Sequence, residues 1–365
     1  MQIIADENIP YVHQAFAEFG EVRTIVGRNL TAADLNDAEI LLVRSVTKVN
    51  AQLLAASSIR FVGTATIGLD HIDLNYLQQQ AIGFASAPGS NATSAAEYVV
   101  SALLVMAERQ GFELSDKSVG IIGCGNVGSR VLKKLTALGM TCFVYDPPLG
   151  KISDLKNVLA ADIISFHVPL SKDGDYPTYQ LVNEQFLASL RNDVILINTS
   201  RGDVVDEKAL LKHLTTCPNM QVILDVWQAE PNINQTLLQR AALATPHIAG
   251  YSFDGKVRAT EMLYNAACNF FKKSPTWQAD MPSPSLSRLC FSNNIAAIHT
   301  AVMASYDVRR DDAELRRRTR EFDKLRKNYP VRREFSCIEI ELAAASSQLA
   351  TSFKELGYIN TKLSL

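Results

Sequence analysis

The feature that most constrains this chain lies between Ser118 and Ile248, where short and almost uninterrupted apolar runs alternate with amphipathic stretches. The runs are SVGIIG, TCFVYD, DIISFHV, VILINTS, QVILDVW and ALATPHI. Runs this short and this apolar are strands buried on both faces, which requires helices on both sides of a parallel sheet. NVGSRVLKKLTALG supplies one such helix, with Val127, Val131, Leu135 and Leu138 at helical spacing and Gly139 as its stop. The expectation is an α/β fold with a doubly wound parallel sheet.

The same rhythm governs the first ninety residues. QIIAD, EVRTIV, EILLVRS and IRFVGTA read as strands separated by helical patterns such as YVHQAFAEFG, until SAPGSNATS closes the section. Ser94 and Glu97 stand at capping-box spacing, which predicts a long helix starting near Ala95. After the helical DGKVRATEMLYNAACNFFKK, the stretch SPTWQADMPSPSLS has a linker's composition and places a boundary near residue 280. A small α+β module follows: helix-like IAAIHTAVMAS, a charge-dense run, strand FSCIEIEL, helix SSQLATSFKELG and strand YINTKL.

Composition narrows the function classes. At 365 residues, with 47% hydrophobic and 20% charged residues, the chain has globular rather than disordered character and room for two to three domains. A net charge of −2 provides no global field toward nucleic acid or anionic lipid. No apolar run reaches the roughly 18 residues of a spanning helix. MQIIADENIP carries acids where a signal peptide carries bases, so a cytoplasmic location is expected. The six cysteines lack close-pair spacing, which predicts neither a metal site nor a dithiol motif but buried thiols in a reducing compartment.

Gly123, Gly125 and Gly128 form G-x-G-x-x-G between a strand and a helix. The first permits a tight turn, the second lets a pyrophosphate approach the backbone, and the third lets helix and strand pack closely. Asp146 ends the next strand, 21 residues past Gly125, where a carboxylate accepts hydrogen bonds from a ribose and repels a 2′-phosphate. NAD binding is therefore expected. A plain strand–helix turn and a loop-capping acid is the other reading.

Arg201, Glu230 and His247 each leave the end of an apolar run, the edge at which open α/β sheets bind ligands. A carboxylate bonded to one imidazole nitrogen orients the ring while the other nitrogen moves a proton, an effect of roughly 10²–10⁴ in rate. The Arg201 fork suits a substrate carboxylate. Spacing alone leaves open two unrelated loop residues, and an arginine paired with Asp203 or Asp206. His13, His71, His213 and His299 read as structural or surface residues, and His167 as lining the nicotinamide pocket without doing chemistry.

Taken together, GIIGCGNVGSRVLKKLTALGM, FHVPL, LINTSRGDVVDEKAL, LDVWQAEP and TPHIAG resemble the successive signatures of the D-isomer-specific 2-hydroxyacid dehydrogenases. DENIPY, VRSVTKVN, FVGTATIGLDHID, YDVRRDDAELR and EFDKLRKNYPVRREF resemble a branch of the vitamin B6 pathway that oxidises a phosphorylated four-carbon 2-hydroxy acid with NAD. The resemblance implies a Rossmann-type NAD-binding domain at 95–251, a flavodoxin-like substrate domain at 1–94 plus 252–280, and a C-terminal homodimerisation domain at 281–365. It gives Arg201, Glu230 and His247 catalytic roles. Ser45, Thr66 and Tyr251 become substrate contacts, and Asn126, Val127, Asp146, Val168, Asp225 and Gly250 join the glycines as cofactor contacts. Val168 departs from relatives that carry a hydroxyl there, which leaves a backbone contact. On charge grounds, Arg201 and the amides around Thr66–Gly68 suit the carboxylate, and Ser45, Tyr251 and Arg44 suit the phosphate.

Between Tyr306 and Phe335, eleven basic and seven acidic residues are interspersed. Interspersed signs suit a solvated helix or a paired self-association surface better than nucleic acid. A dehydrogenase acting on another acid such as 3-phosphoglycerate, and a non-enzymatic NAD-sensing module, are the remaining readings.

Overall fold

The computed structural model describes the backbone of residues 1–292, 296–343 and 347–363, with side chains described as far as Ile359. Ile295 and Ser346, which open two of the expected helices, lie outside the described residues. The chain divides into two compact units, Met1–Asn91 with Ser252–Pro282, and Ala92–Tyr251 with Ser283–Leu365.

In the first unit, β1 (Gln2–Asp6), β2 (Glu21–Ile25), β3 (Ala38–Val43), β4 (Phe61–Thr64) and β5 (Gly83–Ser86) form one parallel sheet in the order β2-β1-β3-β4-β5. This is the flavodoxin-like winding. The sheet buries Ile3, Ile40, Leu42 and Phe61 on one side, against Phe16, Leu263 and Tyr264. Ile4, Leu41, Val43 and Val62 are buried on the other. β5 is an element that the apolar runs did not announce. It is short and only half-buried, and Gly83 is pressed against Phe270, where a Cβ would fall 2.5 Å from the ring.

The second unit holds β6 (Ser118–Ile122), β7 (Thr141–Asp146), β8 (Lys151–Ile152), β9 (Ile163–Phe166), β10 (Ile195–Asn198), β11 (Gln221–Leu224) and β12 (Leu243–Ala244). Their order is β12-β11-β10-β9-β6-β7-β8, parallel except for the edge hairpin β7–β8. β9 and β10 are buried along their whole length, as their continuous apolar sequences require. A third sheet, β13 (Arg288–Phe291), β14 (Glu339–Leu342) and β15 (Ile359–Leu363), is also parallel. Its Ile340 and Leu342 share one core with Val99, Leu103 and Ile121.

The helix expected to start near Ala95 starts at Ala92, and its capping box does not form. Ser94 and Glu97 are both fully buried inside it. Glu97 accepts a hydrogen bond from Phe335 N at 3.0 Å and lies 3.8 Å from Lys134 Nζ, so the acid anchors the C-terminal segment instead of closing a helix end. The cysteines also differ from expectation. Cys124 and Cys268 are buried, but Cys142, Cys217 and Cys337 are half-buried and Cys290 is exposed, because strand alternation turns it outward on edge strand β13.

Much of the charge-dense run is consumed inside the chain. Asp312 accepts Ala244 N at 2.8 Å and Arg316 Nε at 3.0 Å, while the Arg316 fork donates to Leu238 O and Ala241 O. Arg332 donates to Ala249 O and Ser94 O. These bonds attach the C-terminal segment to β12, to the helix before it, to the loop after it and to the long helix Ala92–Gln110.

Candidate active site

Three adjacent parallel strands deliver the candidate residues. Arg201 follows β10, Glu230 follows β11 and His247 follows β12, all at the carboxyl edge of one sheet. The loops are stitched together. Gly202 is packed so closely on Trp227 that a Cβ there would collide with the Trp227 carbonyl. Glu207 accepts Gln228 N at 2.8 Å, and Asp203 accepts the Gln228 amide at 3.1 Å. Asp206 caps the helix Glu207–Thr216. The Arg201 loop is thereby held against the Glu230 loop.

Glu230 and His247 meet directly, with Oε2 2.8 Å from Nδ1. The other Glu230 oxygen accepts Trp227 N at 2.9 Å. Burial works to raise the Glu230 carboxyl, but the His247 ring, Arg326 and the Trp227 N–H outweigh it and hold the group below its ordinary value. An ionised Glu230 therefore fixes the Nδ1 side of the ring and leaves Nε2 for proton transfer.

Asp225 shapes the histidine loop. Its buried carboxylate accepts Thr245 Oγ1 and Ile248 N, each at 2.7 Å, and Ala249 N at 2.9 Å. His247 N donates to Asp225 O at 2.7 Å, and His247 itself has φ +57°. A left-handed backbone at a histidine is costly and persists here because these bonds over-determine the turn.

His167 bonds Ser165 Oγ at 2.8 Å and Thr199 Oγ1 at 3.2 Å, and burial drives it down to about 3, so it is neutral at pH 7. Among the other histidines, His71 bonds Thr64 Oγ1 at 2.9 Å, His299 lies 3.4 Å from Glu108, His13 is exposed and His213 is half-buried. In the first unit, Ser45 is exposed just beyond β3, and Arg44 lies 3.9 Å from Asp6. Thr66 bonds Thr64 Oγ1 at 2.8 Å and donates to Gly68 O.

The glycine loop fits a dinucleotide. Gly123 has φ +86°, and a Cβ there would fall 2.7 Å from His167 O and 2.8 Å from Val168 Cγ1. A Cβ on Gly128 would collide with Gly123 O, whereas one on Gly125 would face open space. The open side lies at the N-terminus of the helix Asn126–Ala137, where no side chain caps the helix and the first-turn amides suit a pyrophosphate. Asp146 ends β7 and accepts Cys124 N at 2.6 Å through one oxygen, which ties the carboxylate to the glycine turn. A cleft of about 320 Å³ lined by Lys117, Asp162 and Asn219 opens elsewhere, at the amino-terminal edge of the same sheet. Among the described residues, no group of three or more His, Cys, Asp or Glu is placed to hold a metal, and no helix is long and apolar enough to cross a membrane.

Residues 90–249 match the family described as D-isomer specific 2-hydroxyacid dehydrogenase, NAD binding domain, and residues 281–357 match a domain of unknown function, DUF3410. The chain is 45% identical to the erythronate-4-phosphate dehydrogenase of Marinobacter nauticus, covering 98% of this chain and 99% of that protein. It belongs to the erythronate-4-phosphate dehydrogenase family. The Proteus mirabilis enzyme is 47% identical over 93% of this chain and 94% of its own. Among solved structures, D-lactate dehydrogenase from Aquifex aeolicus, complexed with NAD and lactic acid, has a TM-score of 0.63 and 25% identity over 74% of this chain and 96% of that one. NAD-bound 3-phosphoglycerate dehydrogenase from Entamoeba histolytica matches in fold, with a TM-score of 0.65 and 24% identity over 74% and 95%. The chain is thus an NAD-dependent dehydrogenase with a Rossmann-type cofactor domain.

Sequence reasoning missed three participants. Trp227 donates its indole N–H to Thr245 O at 3.0 Å and braces the loops that carry Glu230 and His247. Arg326 and Arg332 reach the histidine loop from the C-terminal segment. Nothing in the pattern KLRKNYPVRRE separates these two arginines from solvated neighbours.

Proposed function

We propose that this protein oxidises 4-phospho-D-erythronate at C2 to 3-hydroxy-2-oxo-4-phosphooxybutanoate in the vitamin B6 pathway, with Arg201, Glu230 and His247 as its catalytic residues. The observation that carries the reading is the 2.8 Å Glu230–His247 bond at the strand edge that also carries Arg201. NAD, when bound, supplies the acceptor for the hydride that leaves C2.

The Arg201 guanidinium grips the substrate carboxylate with two charge-assisted hydrogen bonds and fixes C2. His247 Nε2 takes the C2 hydroxyl proton, and the Glu230 carboxylate stabilises the imidazolium that results. Gly123, Gly125, Asn126, Val127 and Gly128 cradle the pyrophosphate, and Asp146 accepts ribose hydroxyls. Val168, Asp225 and Gly250 contact the nicotinamide end. Ser45, Thr66 and Tyr251 contact the substrate. The C-terminal segment also forms a homodimer, which light scattering tests as a particle of twice the 40.1 kDa chain mass.

The test of the reaction is NADH formation by the purified protein. Absorbance that rises with 4-phosphoerythronate and stays flat with 3-phosphoglycerate supports the reading. A preference for 3-phosphoglycerate, or no NADH from either acid, overturns it.

A further inference from the structure

We propose that Arg326, together with Tyr251, forms the seat for the terminal phosphate of the substrate, so that the C-terminal extension supplies a specificity residue to the active site. The inference rests on the reaction proposed above. Arg326 lies on the short helix Phe322–Lys327, and its guanidinium carbon stands 5.5 Å from the centroid of the Tyr251 ring. Tyr251 is four residues past His247, and its N–H closes the turn on Ile248 O at 2.8 Å. The ring is held edge-on by Tyr329 at 5.9 Å.

Arg326 Nε is buried and has no hydrogen-bond partner among the described residues. A buried guanidinium with an unmet donor is costly unless an anion completes it. The neighbouring carboxylates are already committed: Glu230 to His247 and Trp227 N, and Asp225 to Thr245, Ile248 and Ala249. Burial opposes the charge, but Tyr251, Glu230 and Asp225 keep the guanidinium firmly protonated. A cation with an unmet donor beside a phenol hydroxyl suits a phosphate monoester, whose oxygens match the planar fork. Neither the carboxylate nor the C2 hydroxyl of the substrate needs this second cation, because Arg201 and His247 serve them.

The test compares full-length Arg326→Met and Arg326→Lys with the parent protein. Removing a charge-assisted fork costs about 10- to 100-fold in affinity. In the Met variant, kcat/KM for 4-phosphoerythronate should therefore fall about 30-fold more than kcat/KM for erythronate, and inhibition by inorganic phosphate should weaken in parallel. The Lys variant should recover part of both, and the dissociation constant for NAD serves as the control for folding. Equal losses on the two acids, or unchanged phosphate inhibition, overturn the proposal. Should the parent protein oxidise neither acid, the reaction reading fails on its own. Calorimetric binding of inorganic phosphate to parent and Met variant then decides the seat, with equal binding counting against it.

Discussion

Arg332 donates to the carbonyl of Ala249 at 3.1 Å, joining the C-terminal segment to the loop that carries His247 only two residues away. The same guanidinium donates to Ser94 O at 2.7 Å, stands 3.5 Å above the Tyr306 ring and lies 4.0 Å from Glu97. The histidine loop is thus fixed by Asp225 within its own unit's sheet and by an arginine that comes from 83 residues further along the chain.

Arg332→Met should destabilise the protein strongly, because it withdraws a charged donor from two carbonyls and removes a cation from a buried acid. Breaking one partner of such a buried cluster costs about 3–5 kcal/mol. Urea unfolding measures it, and a loss below about 1 kcal/mol, the scale of an exposed pair, would show that the contacts are incidental.

Glu97 should impose a pH dependence on stability. Burial raises its carboxyl to about 7, against the pull of Lys134 and Arg332 and with the push of Glu334. Between about 4.5 and 7 the folded state then binds a proton that the unfolded state has released, so its contribution to stability is full below that window and is lost as pH rises through it. Relative to Glu97→Gln, the parent protein should lose on the order of a few kcal/mol across the window. Parallel stability curves for the two proteins would contradict this.

Glu230 and His247 should behave as one unit. His247→Gln should lower kcat by roughly 10²–10⁴ with NAD affinity unchanged. Adding Glu230→Gln should cost little more, since the carboxylate acts through the ring that has already been removed. Independent multiplicative losses in the double variant would separate the two residues.

Asp146→Asn keeps the shape and an acceptor for Cys124 N but removes the charge. NAD affinity should fall about tenfold and the preference over NADP should narrow, because a 2′-phosphate is no longer repelled. Fluorescence titration with both cofactors checks it, and an unchanged preference would remove Asp146 from the ribose site.

What the sequence displayed follows from where each signal is stored. The six apolar runs of the second unit, the turn at Gly123–Gly128 and the three strand exits are local, so a few consecutive residues carry them. β5 and β8 were not visible, because one is short and half-buried and the other is two exposed residues paired only to β7. Glu97 looked like a helix cap because spacing cannot show Phe335 and Lys134 closing over it. Arg326 and Arg332 were hidden for the same reason: their meaning lies in Tyr251 and Ala249, far away in sequence. For Asp225 the resemblance implied a cofactor contact, and the structure adds that its oxygens organise the turn of His247.

In the proposed reaction the C2 hydrogen of a phosphorylated 2-hydroxy acid passes to NAD as hydride while His247, held by Glu230, takes the hydroxyl proton. This is tested most directly with 4-phosphoerythronate deuterated at C2. The NADH formed should be one mass unit heavier, and this product should be lost in the His247→Gln variant. NADH formed without the deuterium, or labelled NADH formed equally well by the variant, would contradict it.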